Sequence, residues 1–277
     1  MHSGLCHVRS IRSGPRDHAV RRYHRVRWVK DDSRNPTLSF KDQVVAFGAA
    51  RVKAFGVMTL ACARTGNLAP AVAAAAAAIG LDAEVFIPAG VGQDSAVVDV
   101  NLRPFHADGS TTVAYEIAQQ LGWQTPDVVV AALASGSLDT KIARGLEELV
   151  QVGLIDDTPV RYVGGQAAGC GPMARAFAVG SDVVTPVERP DTNVRSLSIG
   201  SPADGPYALQ LARRTGGSIG GVTDAETVDS MRLLARTVVL VITGNGLKTL
   251  AVLDDGIALP DAIAPSYEAF ESWWESC

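Results

Sequence analysis

Short apolar runs alternate along this chain with stretches of helical period, and that alternation marks an α/β architecture. The runs fall at residues 26–29, 57–62, 83–87, 128–133, 160–164 and 238–242. They read as strands, the run at 128–133 as a buried one. Between them, residues 44–55, 68–79, 111–121, 140–152, 172–178, 206–215 and 224–236 carry helical patterns. The 68–79 helix is nearly pure alanine and stops at Gly80. Alanine favours the helix and lets it pack close to a sheet, so this run is structural rather than chemical. Residues 89–110 follow neither period and read as a loop.

Composition supports a folded body. The chain has 277 residues, 47% hydrophobic and 19% charged, enough for one large or two modest domains. The net charge of −4 hides an asymmetry. Residues 1–30 hold seven Arg, one Lys and a single acid, Asp17, which leaves 17 basic and 28 acidic residues in the remainder. An acidic body gives no argument for a nucleic-acid partner. No apolar run reaches the ~18 residues that would span a bilayer, so no membrane partner is expected. The leader lacks the apolar middle of a secretory signal. The four cysteines, Cys6, Cys62, Cys170 and Cys277, match no metal spacing. The expectation is a reduced, cytoplasmic setting and no metal.

Candidate chemistry gathers where strands run into helices. Lys41 lies in Asn35-Pro36-Thr37-Leu38-Ser39-Phe40-Lys41-Asp42, after a proline-started turn and at the opening of a helix. Partial burial and the positive helix end both disfavour the ammonium form, whose ordinary pKa is ~10.4. A neutral amine there can form a Schiff base with a carbonyl cofactor; an ordinary exposed lysine is the competing reading. Three strand-end loops carry small, hydroxyl or amide residues: Thr65-Gly66-Asn67, Ser135-Gly136-Ser137 and Thr243-Gly244-Asn245-Gly246. Ligands of open α/β sheets collect outside the carboxyl ends of strands. A Gly/Ser loop at a helix start offers N–H groups and a favourable dipole to an anion, so Ser135-Gly136-Ser137 reads as a phosphate cradle or as a plain turn. Asn67 either caps the helix at Leu68 or binds a planar ligand. Thr243 is either a turn residue or a partner for a ring nitrogen. A reactive lysine, a phosphate cradle and these donors together point to pyridoxal phosphate.

The order of such blocks is similar to that of the threonine synthases, within the tryptophan-synthase-β-like, fold type II pyridoxal-phosphate enzymes. The matching stretches begin with Trp28-Val29-Lys30-Asp31-Asp32 and the Lys41 octapeptide, then Thr65-Gly66-Asn67 and Asn101-Leu102-Arg103-Pro104. They continue through residues 116–123, 134–138, 166–170 and 196–205 to Ile242-Thr243-Gly244-Asn245-Gly246-Leu247-Lys248. The resemblance implies a three-layer α/β/α fold. Its large, cofactor-binding domain would comprise residues 26–42 and 96–277, its shortened small domain residues 43–95, and a disordered basic leader residues 1–25.

By the same resemblance Lys41 is the Schiff-base lysine and proton shuttle, and Asn67 faces the cofactor ring hydroxyl. Ala134, Ser135, Gly136, Ser137 and Leu138 hold the cofactor phosphate, and Thr243 faces the pyridine nitrogen. Thr65 and Gly66 meet the substrate carboxylate. Arg103, with Lys30 and His106 beside it in the reading, would contact the substrate phosphate; each is otherwise a solvated charge. The implied reaction converts O-phosphohomoserine and water to threonine and phosphate, in a homodimer.

The chain also departs from the resembled family. A βαβ unit of ~30 residues or more is absent between Gly90 and Val97, and an acidic, small-residue segment with a helix is absent near Arg236. Arg64 replaces a small serine, and Gln43 stands where an arginine is usual. The expectation is a retained cofactor site with impaired turnover. A threonine/serine dehydratase or β-replacement enzyme of the same fold, and a non-catalytic interaction protein, stay open.

Overall fold

The computed structural model describes residues 8–10, 28–30, 32–62, 66–85 and 103–237. The chain divides into units of Met1–Asn245 and Gly246–Cys277, and every described residue belongs to the first. The strands are β1 (Val8–Ser10), β2 (Trp28–Lys30), β3 (Thr59–Cys62), β4 (Asp82–Val85), β5 (Val128–Ala132), β6 (Arg161–Ala167) and β7 (Ser218–Val222). The helices are α1 (Lys41–Ala54), α2 (Leu68–Ile79), α3 (Arg103–Gly109), α4 (Thr111–Gln120), α5 (Ser137–Gln151), α6 (Pro172–Ala178), α7 (Gly205–Arg214) and α8 (Asp224–Thr237).

Three sheets form. β5, β6 and β7 make a parallel sheet in that order, with Val128 opposite Arg161 and Val163 opposite Ser218. β3 and β4 make a parallel pair joined through α2. β1 pairs antiparallel with β2, Val8 opposite Lys30. A parallel pair needs a crossover, and α2 and α5 supply the crossovers for β3–β4 and β5–β6.

Two cores position the site. In the smaller, Val45, Ala49 and Val52 of α1 meet Leu60 and Cys62 of β3 and the Ala71, Val72 and Ala76 face of α2. In the larger, Val113, Ala114 and Ala118 of α4 and Ile142, Ala143, Leu146 and Leu149 of α5 close over Val129 and Tyr162. That face of β5–β7 continues to Ile219, which packs with Leu133, Met173 of α6 and Leu209 of α7. Val130 points the other way and is 45% exposed.

Two expectations change. Residues 103–109, read as part of a loop, form α3; the ring of Phe105 stacks 5.8 Å from that of Phe55, an anchor too distant in sequence for a local pattern to show. β7 has no counterpart among the expected strands, because its Ser-Ile-Gly-Gly-Val carries little β-propensity and is made by pairing with β6. Within the basic leader, β1 pairs with β2. The expected strand at 238–242 lies outside the described residues.

Candidate active site

Lys41 is the first residue of α1 and is half-buried. The turn before it is pinned by its own side chains. Leu38 takes a left-handed conformation (φ 59°), and its N–H donates to the carbonyl of Asn35 at 2.8 Å. Nδ2 of Asn35 donates to the carbonyl of Ser39 at 3.0 Å, and Oγ of Ser39 accepts the N–H of Lys41 at 3.2 Å. Asp42 accepts both the N–H (2.7 Å) and the hydroxyl (2.6 Å) of Thr37. Ser39 is 0% exposed and Asn35 is buried as well, so the bond between them forms away from competing water, while the bonds to Lys41 and Asp42 are partly buried. Nζ of Lys41 lies 4.5 Å from the centre of the Phe40 ring.

Lys30 is neither a solvated charge nor a group open to a substrate phosphate. It is 3% exposed, and its Nζ donates to Oδ1 of Asp32 at 2.5 Å and lies 2.7 Å from Oε2 of Glu116. Burial acts to lower its pKa, but the two carboxylates outweigh that and raise it above the ordinary lysine value. Glu116 also accepts Nε2 of Gln43 at 2.8 Å, and Oε1 of Gln43 accepts the hydroxyl of Thr112 at 3.2 Å.

The Ser135-Gly136-Ser137 loop opens α5, a helix of 15 residues, at the carboxyl end of β5. Gly136 holds φ +85°, and a Cβ there would lie 2.9 Å from the carbonyl oxygen of Asp204 and 3.1 Å from Cβ of Ala208, so only glycine fits without strain. The carbonyl of Ser135 accepts the N–H of Asp204 at 3.0 Å, which ties the loop to the start of α7. The N–H of Ser137, the first of α5, donates to Oγ of Ser135 at 3.4 Å, a long contact at the helix start that an anion could replace. Leu138 packs against the larger core, and Ala134 and Ser135 are half-buried.

Two buried polar side chains near this strand end escaped the sequence reading. Asp139 is 4% exposed, its Oδ1 has no partner, and burial lifts its pKa to about 7. The spacing of Asp139 with Ile142, Ala143, Leu146 and Leu149 places it on the apolar face of α5, and that was the signal available. Gln166, at the end of β6, accepts the N–H groups of Met173 (3.0 Å) and Ala174 (3.1 Å) through Oε1, while its buried Nε2 is unpartnered.

The remaining expected residues are placed only in part. Asn67 precedes α2 at its N-cap, half-buried, with no side-chain cap bond, and Gly66 beside it is exposed. Arg103 opens α3 and His106 lies within it; their side chains, like the whole of Arg64, Thr65 and Thr243, lie outside the described residues. Among the described residues no group of three or more His, Cys, Asp or Glu could hold a metal, and no helix is long and apolar enough to cross a membrane.

The profile of a family described as pyridoxal-phosphate dependent enzyme matches residues 17–97 and 92–266. The chain belongs to that family. The lysine amine on a fixed turn and the Gly/Ser helix start suit an aldehyde-bearing phosphate of this kind. The two matched pieces meet at residues 92–97, inside the interval where a βαβ unit was expected to be absent.

Among curated relatives of this family member, the threonine synthase of Methanocaldococcus jannaschii is 30% identical over 243 residues, covering 76% of this chain and 60% of the relative. That of Methanosarcina acetivorans is 31% identical with the same coverages, so the chain spans about 60% of the length of these relatives. That of Synechocystis is 29% identical over 305 residues. This alignment uses 87% of the chain, about 241 of 277 residues, so about 64 of its positions face gaps here. Solved structures share the fold. A threonine deaminase from T.th. superposes with TM-score 0.58 at 22% identity, covering 76% of this chain and 73% of its own. Escherichia coli threonine synthase gives 0.59 at 16%, covering 88% and 72%.

Proposed function

We propose that the chain is a pyridoxal-phosphate-dependent lyase of the threonine synthase type, converting O-phosphohomoserine and water to threonine and phosphate. The Lys41 turn carries this reading: a half-buried amine on a backbone fixed by buried polar contacts, in a chain 30% identical over 243 residues to a threonine synthase. Other relatives, at 31% and 27% identity, are also threonine synthases. The deaminase structure, at 22%, bears on the fold alone.

When bound, the pyridoxal group supplies an electron sink for the carbons of an amino-acid substrate. In this reading Lys41 holds its aldehyde end and moves protons at Nζ, first from the α carbon of the substrate and then from the β carbon. Residues 134–138 hold the cofactor phosphate, Asn67 the ring hydroxyl and Thr243 the ring nitrogen. Thr65 and Gly66 take the substrate carboxylate, and Arg103 the substrate phosphate, which leaves from the γ carbon before water adds at the β carbon. The substrate is a small soluble phosphate ester and the setting is cytoplasmic, with a homodimer as the assembly. Turnover is slowed, because a smaller lobe around β3–β4 closes less completely over the reacting atoms and admits water.

The test is a pair of assays on protein supplied with pyridoxal phosphate: phosphate release from O-phosphohomoserine, and ammonia release from threonine. Phosphate release that Lys41→Ala abolishes is expected. Ammonia without phosphate would move the chain to the deaminases. A wild type that develops no visible absorbance band with the cofactor would overturn the site itself.

A further inference from the structure

A chain of buried polar contacts runs from Glu116 to the backbone of Lys41. Glu116 on α4 pairs with Lys30 at the end of β2, and Lys30 pairs with Asp32. The carbonyl of Asp32 accepts the N–H of Asn35 at 3.3 Å. Nδ2 of Asn35 holds the carbonyl of Ser39, whose Oγ takes the N–H of Lys41. Lys30, Asp32, Asn35 and Ser39 are each buried to 95% or more. A buried ion pair is weak evidence for stability, since desolvation opposes the Coulomb gain. Its geometric consequence is stronger, because a misplaced partner leaves a buried charge uncompensated.

The other end of the chain of contacts reaches the cradle. Glu116 sits on α4, which packs against α5 so closely that a Cβ at Gly145 would lie 2.6 Å from Cβ of Ala114 and 2.9 Å from the carbonyl of Thr111. Helix backbones this near have little freedom to slide. The first turn of α5 is the Ser137 end of the cradle. The Lys41 turn and the cradle are therefore joined through one cluster, Lys30, Asp32 and Glu116, with Gln43 bracing Glu116 from α1.

We propose that Lys30 and Glu116 are positioning residues that set the spacing between the Lys41 amine and the phosphate cradle, so that a ligand carrying an aldehyde and a phosphate engages both at once. This rests on the cofactor reading of the site and adds to it a coupling between its two ends. Two attachment points on one rigid ligand reinforce each other only when their separation matches the ligand.

The experiment compares pyridoxal phosphate with pyridoxal, which has the aldehyde but no phosphate. Both are titrated into the full-length protein and followed by visible absorbance. The ratio of the two Kd values measures how much the phosphate contributes once the aldehyde is held. Glu116→Leu, which has no acceptor for Lys30 or Gln43 and so cuts the tie to α4 while leaving Lys30 with Asp32, is expected to shrink that ratio at least tenfold while pyridoxal alone changes less than threefold. Gln43→Arg places a second cation against Glu116 and is expected to preserve or enlarge the ratio; it decides the matter if the first variant does not fold. A ratio unchanged within twofold in Glu116→Leu, or one that collapses in Gln43→Arg, overturns the proposal. A wild type that binds neither compound overturns the cofactor reading instead, and the proposal with it.

Discussion

Replacing Asp139 by asparagine removes a proton that the folded chain holds and the unfolded chain releases. The carboxyl is 4% exposed with Oδ1 unpartnered, and burial raises its pKa from the ordinary 3.8 to about 7. Asp139 lies in the first turn of α5, where the helix dipole favours a carboxylate. That effect is worth about 0.3–1 kcal/mol. A rise from 3.8 to about 7 corresponds to about 4 kcal/mol, so burial wins. Between pH 4 and 7 the native state binds more protons than the unfolded state, so stability falls as pH rises through that window and levels off above about 7. The maximum slope for one proton is about 1.4 kcal/mol per pH unit. Asparagine carries no proton and lacks this slope. Urea unfolding at half-unit steps from pH 4.5 to 8, followed by tryptophan fluorescence, isolates Asp139 as the difference between the two profiles, because the other carboxylates are common to both. The wild type should lose about 3–4 kcal/mol relative to the variant across the range. Parallel profiles would refute the burial argument. An anionic phosphate on the cradle should hold the proton further, so cofactor affinity should weaken above pH 7 in the wild type and not in Asp139→Asn.

Gln166→Leu removes the acceptor of two buried N–H groups, those of Met173 and Ala174. Each orphaned donor costs about 1–3 kcal/mol, so a loss of about 2–5 kcal/mol in denaturant unfolding is expected. Gly136→Ala imposes a left-handed conformation on a residue with a Cβ and brings that Cβ to 2.9 Å from the carbonyl of Asp204; about 1–3 kcal/mol should be lost, with a larger relative loss for pyridoxal phosphate than for pyridoxal. Ser39→Ala deletes the oxygen that accepts the Lys41 N–H and should lower stability by about 0.5–2 kcal/mol, read from the thermal midpoint.

What the sequence showed follows from the range of each force. The expected helix at 68–79 coincides with α2, because alanine propensity and the stop at Gly80 are local. β5 and β6 were legible as β-branched runs bounded by turns. β7 and α3 were not: one is glycine-rich and made by its neighbour, the other holds proline at its second position and is fixed by Phe55. The turn at Ser135-Gly136-Ser137 could be read because glycine and serine at a strand end serve a local geometry. The fate of Lys30 could not, because Glu116 is far along the chain and only tertiary packing brings it to 2.7 Å. A charge in isolation reads as solvated; whether it is buried depends on partners no local window contains.

The core around β3 and α2 shows how these forces divide along one helix. α1 contributes Val45, Ala49 and Val52 to a core shared with β3 and α2, while its first residue is fixed by the buried polar contacts of Asn35 and Ser39. A two-stranded sheet is marginal by itself and depends on the helices packed on it. β4 leaves Asp82, Ala83 and Glu84 exposed, so its side chains bury little to hold it. Local opening should therefore begin at β4 and α2 and stop at the Lys41 turn. Hydrogen exchange followed by mass spectrometry checks this. Amides of 68–85 should exchange at least tenfold faster than those of 128–151, with the amides of 41–45 matching the slower set. Protection of 68–85 equal to that of β5 and α5 would refute the ordering. So would a Lys41 turn that exchanges with α2, since the amine would then move with the weaker lobe rather than stay fixed against α4.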